Sequence, residues 1–427
     1  MKWFALFVSL LLVFPSLAQN EIKTSSNITN VLYVGGSGKG NYTSIQDAIN
    51  DAKDGYIVYV YPGIYNESIV INKSISLIGI EENGGKPVIN GNGSKYAIKV
   101  EVNNTVIKNF RIFAIRGGGW SAGIWIKHCS NVTTENNNII CDYAPIWMNY
   151  CNRITVLNNT ISGGEFIGIN SQGGNKNRII HNILTNNGRA ISVSGTYNTI
   201  SYNEIYNNSK GIELMGSFNE ISYNKVYENK GRGIEISGLF GISNEVFNNL
   251  IYENNMGLYL GGYFDHVYSN NISRNSRGIY IHGACYNIIE NNTIYKNSWS
   301  GVEMEGTGAE INFPVVNNTI RYNKIVAENA NVLLIWFYCY NNYFIKNDFI
   351  KRNIKRIEWE EVIVNINASL KLEIQRNYYN GNYWYGWNSS LPKPIKAKWT
   401  FKIFGKTILS INGYIFDWHP AVRPNCS

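Results

Sequence analysis

Charge is sparse in this chain: Asp, Glu, Lys and Arg make up 16% of its 427 residues. The net charge of +8 comes without dense Lys/Arg clusters, which argues against nucleic acid as a partner and is compatible with an anionic polymer outside the cell. Long apolar runs are also missing. Past the N-terminal segment no stretch reaches about 18 unbroken apolar residues, so no membrane span is expected. The six cysteines show no C-x-x-C spacing, and the five histidines are scattered, so no metal site is expected. Only 9 prolines stand against 40 glycines, a balance that suits a chain of short repeated strands.

Met1 to Gln19 carries Lys2, an apolar run from Trp3 to Phe14 and the small-residue site Ser16-Leu17-Ala18. This is the pattern of a secretory signal peptide cleaved after Ala18, and it implies an exported, soluble, secreted or cell-surface protein in which disulfides are permitted. The expected division is residues 1–18 signal peptide, 19–30 flexible leader, 31–350 solenoid with an N-terminal cap, and 351–427 last coils with a β-rich C-terminal cap.

A pattern Gly-Ile-x-Ile-x recurs at Gly123, Gly211, Gly233, Gly257, Gly278 and Gly301. From Gly211 onward its copies start about 21 to 24 residues apart, a period that means stacked coils. Beside it runs a series of asparagines at Asn182, Asn203, Asn224, Asn249, Asn270, Asn292 and Asn318. Alternation inside each short run reads as strand, and neither the regular Leu offsets nor the helices of a leucine-rich repeat are present. Three short strands per coil define an all-β, right-handed parallel β-helix. Asparagine suits its corners because it tolerates the left-handed conformation and because stacked amides can bond along the axis. Thr43 and Gln46 form a capping-box pattern ahead of Ile45, Ala48, Ile49 and Ala52, so a short helix is expected to close the N-terminal end.

Stacking turns the outward residues of the Gly-Ile-x-Ile-x strands into two columns. The first runs Trp125, Trp147, Asn170, Ser192, Glu213, Glu235, Tyr259, Tyr280, Glu303, and the second runs Lys127, Asn149, Gln172, Ser194, Met215, Ser237, Gly261, His282, Glu305. Trp125, Lys127, Trp147, Tyr259 and Tyr280 are candidates for holding a sugar, since aromatic rings lie against pyranose faces. Glu213, Glu235, His282, Glu303 and Glu305 are the candidate catalytic groups. Glu213 and Glu235 should stand about 5 Å apart, a separation like that of retaining glycosidases, with one pKa raised unless a cation neutralises the pair. The plain alternatives are that these glutamates only solvate the sheet, and that the loop Arg116 to Trp120 covers the two tryptophans. Elimination would ask for a base such as Lys127, His128 or His282 and a divalent cation such as calcium, yet no Asp cluster for calcium is visible and no cofactor is implied. Cys129 and Cys151, 22 residues apart on adjacent coils, either bridge or stack as buried thiols.

The runs Tyr42 to Ile49, Ile57 to Glu67 and Ile75 to Gly79 resemble the opening of pectin-lyase-like β-helix proteins. With the Asn-rich coils, and with Asn382-Tyr383-Trp384 and Phe416 to Pro420 near the end, the chain resembles the NosD-like branch of carbohydrate-binding and sugar-hydrolase β-helix domains. That resemblance implies a polysaccharide or cell-surface glycan as partner, for binding with or without hydrolysis or elimination. The alternative is a non-catalytic surface structural protein or adhesin. It also raises copper, against which the scattered His and few Met residues speak. The aromatic stretch Tyr378 to Trp387 either binds sugar or packs over the last coil. Sequons such as Asn41, Asn66, Asn207 and Asn388 permit glycosylation.

Overall fold

The computed structural model describes residues 30–426 except 84, 238–240, 308–312, 337, 352–358, 367–371, 385–386, 388 and 404–405. The signal peptide and nearly all of the expected leader lie outside the described residues. Three parallel sheets wind round one core: a first wall of fifteen strands, a second of fourteen and a third of twelve. The chain visits them in that order in each coil, as with Ile57–Val60, Ile64–Tyr65 and Ile69–Ile71.

Alternation fixes which side chains go inside. Ile124 and Ile126 are fully buried while Trp125 between them points out, and the same holds for Ile279 and Ile281 around Tyr280. Each buried Ile or Leu stacks on its counterpart one coil away, as Ile212 does on Ile234 and Ile234 on Leu258. Burial of such a side chain contributes roughly 1.5–3 kcal/mol.

The glycine at the head of the repeated pattern has a packing cause. A Cβ on Gly211 would lie 2.2 Å from the carbonyl oxygen of Gly233, and one on Gly278 would lie 2.4 Å from that of Gly301. Successive coils approach too closely there for any side chain.

Asparagines line all three corners, where the sequence suggested one series. Between the first and second walls, Asn182 donates both its N–H and its Nδ2 to Asn203 Oδ1, and the relay continues through Asn224, Asn249, Asn270 and Asn292. It then passes to Asn323, not Asn318. Asn318 belongs to the corner between the third and first walls, below Asn287, because a longer coil displaces the expected spacing to 31 residues. The remaining corner carries Asn187, Asn208, Asn229, Asn254, Asn275 and Asn297.

The left-handed residue is also not the ladder asparagine but the one before it. His181, Tyr202, Tyr223, Phe218 and Phe264 all have φ between 56° and 60°. Such a conformation costs roughly 1–2 kcal/mol for a residue with a side chain. The ladder bonds offset it, since each amide is buried with its donors and acceptor satisfied.

At the N-terminal end the helix spans Ile45–Asp51, with Ser44 and not Thr43 as its N-cap. Glu67 reaches over from the next turn to accept the N–H groups of Ile45 and Gln46 at 2.9 Å. Gln46 accepts from Val70 N–H at 2.8 Å and donates to Val70 carbonyl at 3.3 Å, so its amide substitutes for a missing neighbour strand. Ile45, Ala48, Ile49 and Ala52 are buried as the spacing implied.

The coil register continues past residue 350. Tyr343–Ile345 pairs with Tyr378–Asn380, and Asp348 and Phe349 pair with Tyr383 and Trp384. Tyr379 stacks on Phe344 at 4.9 Å and Trp384 on Phe349 at 4.5 Å, so these two rings close the core. Asn382 hands its ladder to Asp417, which also accepts from Trp384 Nε1 at 3.1 Å. A four-stranded sheet of Trp359–Ile366, Leu372–Gln375, Lys393–Ile403 and Lys406–Asp417 lies beyond.

Candidate functional site

The third wall carries the first column as one vertical series. Its register pairs Trp125 with Trp147, then Asn170, Ser192, Glu213, Glu235, Tyr259, Tyr280 and Glu303 in turn. In the second column Lys127 pairs with Asn149 and Asn149 with Gln172, and His282 is beside Glu305. His128 stands apart from it, at a left-handed corner where it stacks on Tyr150 at 5.5 Å.

Three chemically different zones follow one another along this wall. The first is an aromatic basin. Trp120 sits edge-on to Trp125 at 5.0 Å and to Trp147 at 5.9 Å, while Tyr96, Tyr143 and Phe166 extend the cluster. The loop Arg116 to Trp120 thus contributes a ring to the basin, and both tryptophans beneath stay half-exposed. Trp125 Nε1 donates to Asn149 Oδ1 at 2.8 Å, which fixes its plane. Lys99 and Lys127 lie 5.1 and 5.8 Å from the Trp125 ring.

The loop is anchored by Asp142, whose carboxylate accepts from Arg116 N–H at 2.9 Å, Gly117 N–H at 2.8 Å and the Ser121 hydroxyl. Burial works against the Asp142 charge, but these bonds outweigh it and hold the carboxyl below its ordinary value.

The middle zone is an ion-pair ladder. Glu213 meets Arg189 at 3.0 Å and Lys210 at 3.3 Å; Glu235 meets Lys210 at 2.9 Å and also Arg232. Arg189 Nε is within ion-pair distance without hydrogen-bond alignment. Both carboxylates are largely buried, at 8% and 5% exposure, although they project from the outer side of the sheet. The cations cover them, and Lys210 bridges the pair, so the neutralising charge that close carboxylates require is supplied from within the wall.

The third zone combines phenols with proton acceptors. Tyr280 hydroxyl donates to Glu305 at 2.5 Å, and Tyr259 hydroxyl lies 3.1 Å from His282 Nδ1. Burial first, then the bond to Glu305, pushes the Tyr280 phenol well above its ordinary value. Burial also raises Tyr259, against a downward pull from Arg232, whose guanidinium lies 3.8 Å over its ring. Glu303, 2% exposed, pairs with Arg277 at 2.9 Å and accepts from Trp336 Nε1 at 2.9 Å.

Sequence reasoning missed the cation row. Its signal was present, because a basic residue directly precedes the pattern's glycine at Lys210, Arg232 and Arg277. It stands three residues before the glutamate, which strict alternation would put on the opposite face, yet Lys210 reaches Glu213 and Arg232 reaches Glu235 at the start of their strands. Tyr143 and Phe166 were also missed, since loop residues lie outside any repeat, while Trp120 was read only as part of a covering loop.

Cys129 and Cys151 are buried free thiols in the structure. Cys129 donates to Lys127 carbonyl at 3.0 Å and Cys151 to Asn149 carbonyl at 3.1 Å. Burial pushes the Cys129 thiol up to about 11. Among the described residues no group of three or more His, Cys, Asp or Glu is placed to hold a metal, and no helix is long and apolar enough to cross a membrane.

The walls, corner ladders and coil register define a right-handed parallel β-helix. The family model for the right-handed β-helix region matches residues 88–239 and 239–349, and the chain belongs to that family. A cell surface glycoprotein of Methanothermus fervidus is 32% identical over 142 residues, which is 33% of this chain and 21% of that protein. The matched part is therefore about a fifth of that relative's length. Among solved structures, a DFA-IIIase from Arthrobacter chlorophenolicus A6 in complex with GF2 superposes with a TM-score of 0.52 at 11% identity, covering 74% of this chain and 94% of that one. The Dettilon tailspike protein also gives 0.52, at 14% identity, over 74% of this chain and 66% of that one. At such identities the likeness is one of fold.

Proposed function

We propose that this chain is an exported surface protein that holds an extended polysaccharide along its third wall. The observation that carries this reading is the aromatic basin: Trp120, Trp125 and Trp147 cluster at steep tilts, both wall tryptophans keep part of their surface in solvent for a sugar C–H face, and Lys127 and Asn149 stand beside them as polar groups. A glycan laid parallel to the axis would run from Trp125 and Trp147 across the ion-pair ladder to Tyr259 and Tyr280. Coil spacing of about 4.8 Å is close to the length of one sugar unit in an extended chain.

Binding is favoured over hydrolysis at Glu213 and Glu235. Each carboxylate is largely buried and already engaged by two cations, which hinders it as a nucleophile. The raised phenols of the third zone hold their protons, so an acceptor for elimination would come from the groups beside them, Glu305 at Tyr280 and His282 at Tyr259. Surface location is supported by the surface glycoprotein relative, which equally favours the second reading, a stiff non-binding rod.

A glycan array followed by product analysis separates these readings. The expected result is specific binding that falls in Trp125→Ala and Trp147→Ala. An array without any specific glycan would leave the rod.

A further inference from the structure

The C-terminal sheet offers a second aromatic surface, remote in sequence from the third wall. Strand Lys406–Asp417 is the edge of its sheet. Ile415 and Asp417 turn inward, so Tyr414, Phe416 and Trp418 project from the other side. Facing them is Tyr378 on the last strand of the first wall, with Arg376 two residues earlier. These five are among the residues lining a cleft of about 300 Å³, with Ile415 on its floor. Its rings are strongly exposed, Trp418 at 61% and Tyr414 at 52%. The rings of Phe416 and Trp418 meet at 46° and 5.4 Å, a tilt that leaves an indole face free. The guanidinium of Arg376 lies 5.1 Å from the Tyr378 ring, and among the described residues no carboxylate forms an ion pair with it.

We propose that this cleft binds one acidic sugar unit, a pyranose carrying a carboxylate. Tilted indole and phenol rings accept the C–H face of a pyranose, and the Tyr414 hydroxyl supplies a hydrogen-bonding tip at the rim. Arg376 takes the carboxylate, which its planar fork can hold by two parallel bonds. The volume lies at the lower end of the roughly 300–1,000 Å³ of ligand pockets, room for a mono- or disaccharide end and not for a polymer strand. This site shares no residue with the third wall, so either proposal can fail alone.

The test uses the full chain titrated with glucuronate and galacturonate, and with glucose and galactose, read by tryptophan fluorescence and saturation-transfer NMR. The wild type is expected to prefer the acids. Trp418→Ala should weaken uronate binding by about tenfold, the equivalent of roughly 1.4 kcal/mol. Arg376→Gln should remove the preference for acid over neutral sugar. Trp418→Phe keeps a ring and should keep binding, which separates ligand loss from a misfolded sheet. Equal affinity for acid and neutral sugars, no binding of either, or wild-type affinity in Trp418→Ala would each overturn the proposal.

Discussion

Replacing Asp265 by asparagine should stabilise the protein, and more so as pH rises. Asp265 is a rung of the ladder between the third and first walls, where every neighbouring rung is an amide. Its Oδ1 accepts from Asn244 N–H at 2.8 Å and Asn244 Nδ2 at 3.0 Å, and its own N–H donates to Asn287 Oδ1 at 2.7 Å. Its Oδ2 is buried without a partner. At the equivalent place Asn198, Asn219 and Asn287 each donate Nδ2 to a glycine carbonyl at 3.0 Å. A carboxylate has no hydrogen for that carbonyl; a carboxylic acid has one.

Burial accordingly pushes the Asp265 pKa from 3.8 to about 7, with the bonds from Asn244 offsetting only part of the rise. Between those values the folded state keeps a proton that the unfolded chain has released. Stability therefore falls as pH rises across this window and levels off above it. The difference of about three units corresponds to at most roughly 4 kcal/mol above pH 7. Urea unfolding of the wild type and Asp265→Asn at pH 4, 5.5, 7 and 8.5, followed by tryptophan fluorescence, isolates this group because all others titrate alike in both proteins. The midpoints should nearly coincide at pH 4 and separate progressively up to about pH 7. A pH-independent difference, or a variant less stable than wild type at pH 8.5, would refute the reasoning.

Other expectations follow from the same geometry. Asn224→Ala removes a buried amide with bonds to Asn249 and Ile200 and should cost about 2–4 kcal/mol by urea midpoint, since its former partners lose their bonds. Gly211→Ala should destabilise comparably, because its Cβ meets backbone and not a movable side chain. Removing one partner of the covered ion pairs, as in Glu235→Ala, should destabilise by roughly 1–3 kcal/mol, whereas Glu235→Gln should be milder, as measured by thermal unfolding. Asp142, with its lowered pKa, should hold the Arg116 to Trp120 loop at neutral pH and release it only in acid below the ordinary aspartate value of 3.8, which limited proteolysis of the loop would register.

The stacking register was legible because it follows from a period: once Gly211, Gly233 and Gly257 are aligned, Glu213, Glu235 and Tyr259 have only one arrangement. Even Asn170 and Ser192, where the pattern is faint, fall in line. The corners were harder. Three asparagine series interleave at offsets of about five residues within each coil, and the long coil after Glu305 joins the wrong two of them when read by spacing alone. The ionic state of the glutamates was not legible, because it depends on side chains from two coils meeting over one strand. The basin was only half visible, since Trp120 arrives from a glycine-rich loop that obeys no period.

Each rung of a corner column gives its backbone N–H and one side-chain hydrogen to the oxygen of the next coil's rung, while the other side-chain hydrogen goes back to a carbonyl of the coil before, so the column has a direction and its far end needs an acceptor. Asp417 fills that place with a carboxylate that also takes the Trp384 indole hydrogen. The last amide of that column is thus left with no bare hydrogen, its backbone and side-chain donors being taken by Asp417 and the Phe344 carbonyl.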